Sequence, residues 1–201
     1  MAQFVGAAID ASHFPRAILP EIAFLGRSNV GKSSVINSLL GQKLAHTSST
    51  PGRTRSINFF SVRWQGRPQP ELWFTDLPGY GYARLSKEIS AEWPKFIDPY
   101  LTHRASLALC FTLVDANVAP QASDRQLVEF LQANDRKLVM VATKSDKLSG
   151  NNLHKAMHTL GKAYEGVRII PFSAKTGAGK EQLWQAIREA VESYPGTSAT
   201  G

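Results

Sequence analysis

The residues with the most chemistry per position stand early in the chain. Gly26-Arg27-Ser28-Asn29-Val30-Gly31-Lys32-Ser33 follows the apolar run EIAFL and opens a stretch with helical spacing. It therefore fits G-x-x-x-x-G-K-[ST] in the strand-turn-helix context that a phosphate-binding loop demands. Gly26 and Gly31 let the backbone wrap close to phosphates, while successive N–H groups and the helix N-terminus supply donors and positive potential. Lys32 can reach β- and γ-phosphates, and the Ser33 hydroxyl can ligate magnesium. A glycine-rich turn without a ligand is the alternative, and it does not account for the full match in that context.

Such a loop leaves kinases, ATPases and GTPases open, so later residues must decide. The run Glu71–Thr75 ends in Asp76-Leu77-Pro78-Gly79, a D-x-x-G in which Asp76 would hold magnesium through water and the Gly79 amide would sense a γ-phosphate. The run Lys137–Val141 leads to Thr143-Lys144-Ser145-Asp146, which resembles the guanine motif N-K-x-D. The Asp146 carboxylate can accept from both N1–H and N2–H of guanine, a pair that adenine does not offer. Val167–Phe172 leads to Ser173-Ala174-Lys175, resembling S-A-K, with Phe172 just before it and the Ala174 amide facing guanine O6. Each tetrapeptide alone could be an ordinary strand-end turn. Four in order, all at strand C-terminal ends, mark the edge where open α/β sheets bind ligands.

Those motifs need a scaffold, and the apolar pattern describes one. Runs at Glu21–Leu25, Ser56–Arg63, Glu71–Thr75, Leu107–Val114, Lys137–Thr143 and Val167–Phe172 read as strands, with helices starting near Lys32, Glu88, Gln121, Leu153 and Gly179. Gly41 reads as the C-cap of the first helix. LALCFTLV and KLVMVAT, apolar on both faces, suit a parallel sheet covered on each side. QGRPQP leaves no room for a helix, so Ser56–Arg63 and Glu71–Thr75 should pair as a hairpin. The expectation is a three-layer α/β domain over 21–194 with a six-stranded mixed sheet, five strands parallel and one antiparallel, and helices on both faces. Residues 1–20 are expected to be an irregular extension and 195–201 a flexible tail.

The chain has 201 residues, 43% hydrophobic and 19% charged, which excludes a disordered tail or a disulfide scaffold. The single cysteine, Cys110, lies in an apolar run and reads as a buried small hydrophobe. No stretch is long and apolar enough to span a membrane, and the N-terminus lacks a basic leader, so a cytoplasmic protein is expected. Lys plus Arg is 23 against 16 for Asp plus Glu, a net +7. No acidic residue lies between Glu21 and Glu71, where Arg27, Lys32, Lys43, Arg53, Arg55, Arg63 and Arg67 stand, so this one segment holds the whole excess. A block so one-sided suggests an anionic partner, against the alternative of a solvated basic face.

The chain resembles the EngB family of small bacterial GTPases. The residues that carry the likeness are GRSNVGKSS (Gly26–Ser34), TPGRTRSINFF (Thr50–Phe60), TDLPGYGYA (Thr75–Ala83) and ATKSD (Ala142–Asp146), so it runs from about Glu21 to the last helix. The resemblance implies a GTP-hydrolysing switch, acting as a monomer in assembly of the large ribosomal subunit, with magnesium as cofactor and ribosomal RNA or a pre-ribosome as partner, and needed for normal growth and division. It also implies a nucleotide site made of Gly26, Arg27, Ser28, Asn29, Val30, Gly31, Lys32, Ser33 and Ser34, then Gly52, Arg53, Thr54, Arg55 and Ser56, then Asp76 to Gly79, Thr143 to Asp146, and Phe172 to Ala174. Lys32, Thr54 and Gly79 would serve the chemistry. Thr54 would be the switch-I threonine that completes the magnesium shell only with the triphosphate, on a segment, Gln42–Arg55, that orders on γ-phosphate. Asn29 resembles the ligand that holds potassium against the phosphates in GTPases of this wider class.

Two departures from signalling GTPases carry expectations of their own. Thr143 stands where N-K-x-D has asparagine, and a hydroxyl cannot both brace the loop and contact guanine N7 as an amide does, so nucleotide affinity should be modest. Tyr80 follows D-x-x-G directly, where signalling GTPases carry the glutamine that orients water, so intrinsic hydrolysis should be slow. A GTPase acting on a protein or membrane partner in division, and a small-molecule phosphotransferase, are the competing functions; the latter leaves T-K-S-D and S-A-K without a task. His154 and His158 lie four apart but lack a third zinc ligand. Trp64, Trp73, Trp93 and Trp184 read as core or interface aromatics.

Overall fold

A computed structural model describes residues 1–45, 56–64, 66–80 and 97–195. Eleven elements place the motifs. In chain order they are β1 (Ala2–Ala8), β2 (Glu21–Gly26), α1 (Lys32–Leu40), β3 (Ile57–Val62), β4 (Leu72–Asp76), β5 (Leu107–Asp115), α2 (Ala122–Ala133), β6 (Leu138–Thr143), α3 (Gly150–Ala163), β7 (Ile169–Pro171) and α4 (Lys180–Glu192), with a further helical segment over 97–103. The helix start expected near Glu88 lies outside the described residues. So do Gly52, Arg53, Thr54, Arg55 and Trp93.

The strands form one seven-stranded sheet in the order β1-β3-β4-β2-β5-β6-β7. β2 pairs in parallel with β4 and β5, as do β5 with β6 and β6 with β7, while β3 runs antiparallel to both β4 and β1. Six strands thus share one direction and β3 opposes them, which matches the expected hairpin. The expected strand count and the irregular first twenty residues need correction, because residues 2–8 form the edge strand. Phe4 lies opposite Phe60 and Ala8 opposite Ile57, with a bulge between Phe4 and Gly6. Only Ala2 and Ala8 of β1 are buried, and Phe4 stays 54% exposed. An edge strand that buries two alanines leaves no apolar alternation to read.

Both faces of the sheet are covered because successive side chains of the central strands are apolar. Ile22 and Phe24 of β2 with Phe111 and Leu113 of β5 pack under Val35, Ile36 and Leu39 of α1 and Leu183 and Ile187 of α4. Ala23, Leu25 and Cys110 point the other way, toward Tyr100 and Leu101 and toward Leu127 and Leu131 of α2. Farther along that face, Val114, Met140 and Ala142 meet Val128 and Leu160. Burial pushes the Cys110 thiol up to about 12, so it stays a thiol. Trp73 is buried, and the rings of Trp64 and Trp184 meet at 5.2 Å. At the end of β2 away from the motifs, the fully buried Glu21 carboxylate accepts from Arg104 Nε at 2.8 Å, Ser106 Oγ at 2.6 Å and Tyr100 Oη at 2.7 Å. This pairing replaces the water the carboxylate gives up and ties the 97–103 segment to the sheet. Among the described residues, no helix is long and apolar enough to cross a membrane.

Candidate functional site

All four motifs lie at the C-terminal ends of β2, β4, β6 and β7. The phosphate loop leaves β2 at Gly26, where an added Cβ would meet Val30 Cγ1 at 2.8 Å, so the turn closes on itself there. Asn29 adopts the left-handed region at φ 63° and Gly31 at φ 106°, and Gly31 is the N-cap of α1. The first turn of α1 carries Lys32, Ser33 and Ser34 with no acidic side chain, so the positive end of the helix dipole is not offset there. Gly41 closes α1 at φ 65°, in the expected C-cap role.

The D-x-x-G segment runs beside this loop. The parallel register sets Phe24 against Asp76, and the main-chain pairing continues past the strands: Leu77 N donates to Phe24 O at 3.2 Å, Tyr80 N to Gly26 O at 3.3 Å, and Ser28 N to Tyr80 O at 3.2 Å. Gly79 passes so close that an added Cβ would lie 3.1 Å from the Ser28 amide nitrogen, which is why glycine stands there. Lys32 and Asp76 form an ion pair, both side chains nearly buried. The donor set suits a hard cation, since the Ser33 hydroxyl and Asp76 carboxylate are oxygen ligands beside the phosphate loop.

At the other end, Thr143 closes β6, 2% exposed. Its hydroxyl lies 2.6 Å from Val30 O and 3.0 Å from Val114 O. Of the two tasks an amide performs at this position, the Thr143 hydroxyl takes the bracing one, because Oγ reaches the phosphate loop directly. Its single proton serves one acceptor at a time. Lys144, left-handed at φ 56°, donates to Asn29 O at 2.9 Å and to Asp115 Oδ2 at 2.7 Å. Asp115 also accepts from Asn117 N at 3.0 Å and Nδ2 at 2.9 Å. Partial burial raises the Asp115 carboxyl, but the Lys144 and Asn117 hydrogen bonds outweigh it and hold it below its ordinary value.

Asp146 is exposed on the turn Ser145–Lys147, and its Oδ1 accepts from Ser173 Oγ at 2.6 Å. That hydrogen bond holds its carboxyl below the usual range, so it stays an acceptor at neutral pH. Ser145 N donates to Phe172 O at 3.1 Å, locking the Thr143–Asp146 and Ser173–Lys175 turns together. Ser173 Oγ accepts in turn from Lys175 N at 3.2 Å and Thr176 N at 3.1 Å, which shapes the turn holding Ala174. Behind it, Gly179 caps α4 at φ 81°, and a Cβ there would lie 2.1 Å from Pro171 O.

Several supporting residues left no signal in the sequence. Asn37 of α1 accepts from Leu44 N at 2.9 Å and Ala45 N at 2.8 Å, fixing the chain where the expected switch-I segment begins. Asp115 meets Lys144, and Asp124 meets Tyr80, only through the fold. Of the seven cations between Glu21 and Glu71, Lys43, Arg63 and Arg67 are the described ones outside the nucleotide motifs. Lys43 is exposed, Arg63 donates to Pro68 O at 3.3 Å, and Arg67 lies 3.5 Å from Glu71 across an exposed pair that holds little energy. His154 and His158 are exposed on α3.

Residues 21–144 match a family model described as 50S ribosome-binding GTPase. The chain is 58% identical over 190 residues to a probable GTP-binding protein EngB of Acidobacterium capsulatum, covering 94% of this chain and 90% of that relative. It is 53% identical over 191 residues to the protein of the same description from Koribacter versatilis, covering 95% and 94%. A crystal structure of a probable GTP-binding protein EngB superposes with a TM-score of 0.69 at 26% identity, over 86% of this chain and 98% of that one. Aquifex aeolicus Era bound to GDP and AlF4- shares the fold, with a TM-score of 0.70 at 22% identity, over 86% of this chain and 57% of that one.

Proposed function

The chain belongs to the EngB family of GTP-binding proteins and is a GTP-hydrolysing enzyme, and from that premise we propose that it is a cytoplasmic switch whose GTP state acts in assembly of the large ribosomal subunit. The observation that carries the ribosomal part is the charge distribution. The excess of cations lies wholly between Glu21 and Glu71, in the same segment as the phosphate loop and the expected switch I. Lys43, Arg63 and Arg67 stand outside the nucleotide motifs, where a phosphate backbone can meet them. The description of the matching family model supports the same partner.

In this reading the loop amides from Gly26 to Gly31 and the start of α1 hold the phosphates, and Lys32 exchanges Asp76 for the β- and γ-phosphates. Ser33, Thr54 and, through water, Asp76 would hold magnesium, which would neutralise charge on the phosphates. The Gly79 amide senses the γ-phosphate. Asp146 accepts from guanine, the Ala174 amide faces O6, and Thr143 holds the loop rather than the base. Asn29 is the candidate potassium ligand, and its main-chain carbonyl accepts from Lys144 Nζ.

Salt-dependent co-sedimentation with ribosomal particles tests the ribosomal part, comparing a non-hydrolysable GTP analogue with GDP. The expected result is tighter association in the triphosphate state, an affinity that falls steeply with salt, and a weaker salt slope after charge reversal at Arg63 and Arg67. Association equal in both nucleotide states and indifferent to the double reversal would favour a protein or membrane partner instead.

A further inference from the structure

Tyr80 is fastened twice. Its main chain bridges to Arg27 of the phosphate loop, and its phenolic oxygen donates to Asp124 Oδ1 at 2.9 Å, on the first turn of α2. Gly79, the residue before it, runs hard against Ser28. With residue 80 held from both sides, the Gly79 amide has little freedom left.

Asp124 is an odd residue for its surroundings. It is 4% exposed, beside the apolar Leu127 and Val128 of its own helix, and burial raises its carboxyl above the ordinary value while Tyr80 and Arg27 oppose that rise. Arg27 and Asp124 share the wall of a cavity of about 140 Å³ with Gln121, and Arg27 Nε is buried with no hydrogen-bond partner among the described residues. An apolar residue at position 124 would avoid the desolvation that a buried carboxylate costs. What the carboxylate adds is an acceptor for the Tyr80 hydroxyl and a negative charge that acts on Arg27, with which it lines the same cavity.

We propose that Asp124 is a positioning residue for GTP hydrolysis, which through the Tyr80 hydroxyl fixes the Asp76–Tyr80 segment so that the Gly79 amide meets the γ-phosphate. This rests on the reading of Gly79 given above. It makes Tyr80 a tether for the segment, its hydroxyl directed to α2. The effect must be specific to the triphosphate, because GDP offers nothing for the Gly79 amide to meet. Asp124 also lies in the first turn of α2, where any acidic side chain favours the helix dipole. A role confined to the helix would follow the charge, whereas positioning follows the hydrogen-bond acceptor.

The test uses the full chain and measures single-turnover hydrolysis together with affinities for GDP and a non-hydrolysable GTP analogue. Tyr80→Phe and Asp124→Ala should each slow hydrolysis about tenfold and reduce the preference for triphosphate over diphosphate, as expected for loss of one hydrogen bond to a buried charged group. GDP affinity should stay within about twofold, the double variant should be no worse than either single one, and Asp124→Asn, which keeps an acceptor oxygen, should recover most of the rate. Additive losses, an equal fall in GDP affinity, or an unchanged rate in Tyr80→Phe would overturn the proposal. If Asp124→Ala fails to fold, Tyr80→Phe decides alone, since it removes a single oxygen. Gly79→Ala separates the two levels. An unchanged triphosphate preference in that variant removes the reading of Gly79 and the tether with it, whereas a lost preference there beside silent Tyr80→Phe and Asp124→Ala removes the tether only.

Discussion

The guanine end and the phosphate end of the site are held by different means. Around Thr143–Asp146, side chains hold one another and the loop beside them: Thr143 to Val30 O, Lys144 to Asn29 O and Asp115, Asp146 to Ser173. Around Asp76–Tyr80 the strand-to-loop pairing is main-chain, joined by the Tyr80–Asp124 hydrogen bond and by one ion pair whose two members, Lys32 and Asp76, are both assigned to the bound nucleotide and its metal. In the proposed reading the base would meet a geometry already held by internal hydrogen bonds. In the same reading the phosphates would compete with an internal partner, since Lys32 is paired to Asp76. The contrast predicts that changes at the guanine end alter affinity for every guanine nucleotide alike, and that changes at the phosphate end alter the preference between GTP and GDP.

Asp146→Asn tests this most severely. It should weaken GTP about a hundredfold through loss of a charge-assisted bidentate contact and gain xanthosine triphosphate, because xanthine presents an acceptor where guanine presents an amino group. Calorimetry with xanthosine tri- and diphosphate should show the ratio of the two affinities matching the wild-type ratio for GTP and GDP. A collapsed ratio would mean the ends are one unit.

Thr143→Val keeps the shape of the side chain and removes the donor to Val30 O. We expect GTP and GDP to weaken together, each about tenfold, the equivalent of ~1.4 kcal/mol for a buried carbonyl left without its partner. Loss of GTP affinity alone, measured by the same titration, would place Thr143 with the phosphate end.

Ser173→Ala should have the smallest effect, about threefold at neutral pH for one neutral hydrogen bond. Its signature is the acid limb. A depressed carboxyl remains an acceptor until pH falls through its lowered pKa, so removing the Ser173 donor lets Asp146 rise toward its ordinary value. GTP binding should then be lost at a higher pH than in the wild type. Coincident acid limbs in pH titrations of the two proteins would show that Ser173 only shapes the turn.

The legible parts of this molecule were those with a short period or a fixed spacing. β5 announces itself because Leu109, Phe111 and Leu113 alternate with Cys110 and Val114 and both sets are buried. The phosphate loop is legible because all its parts lie within eight residues. β1 was missed because pairing along an edge buries only Ala2 and Ala8, leaving Phe4 and Val5 outside. Glu21 with Arg104, Asp124 with Tyr80, and Asp115 with Lys144 are side chains far apart in sequence, and no local pattern records which carboxylate the fold will bring to which partner. Which of its two possible tasks Thr143 performs was not legible for a related reason. The composition of the motif says what the residue is, and only the packing of β6 against the Val30 turn says what its hydroxyl reaches.

The edge strand also bears on the order in which the molecule is assembled. The β3–β4 hairpin closes over a short connection, whereas Phe4 must find Phe60 across most of the first third of the chain. Closing a longer loop costs more entropy and comes later. Until β1 docks, β3 presents an open row of backbone donors and acceptors next to Phe59 and Phe60, the kind of edge on which chains add to one another. The bulge at Val5 interrupts that ladder on the finished molecule, but only once β1 is in place. Residues 2–8 contribute no group to the nucleotide motifs. Their contribution is to the sheet, where they cover the β3 edge that would otherwise stay open.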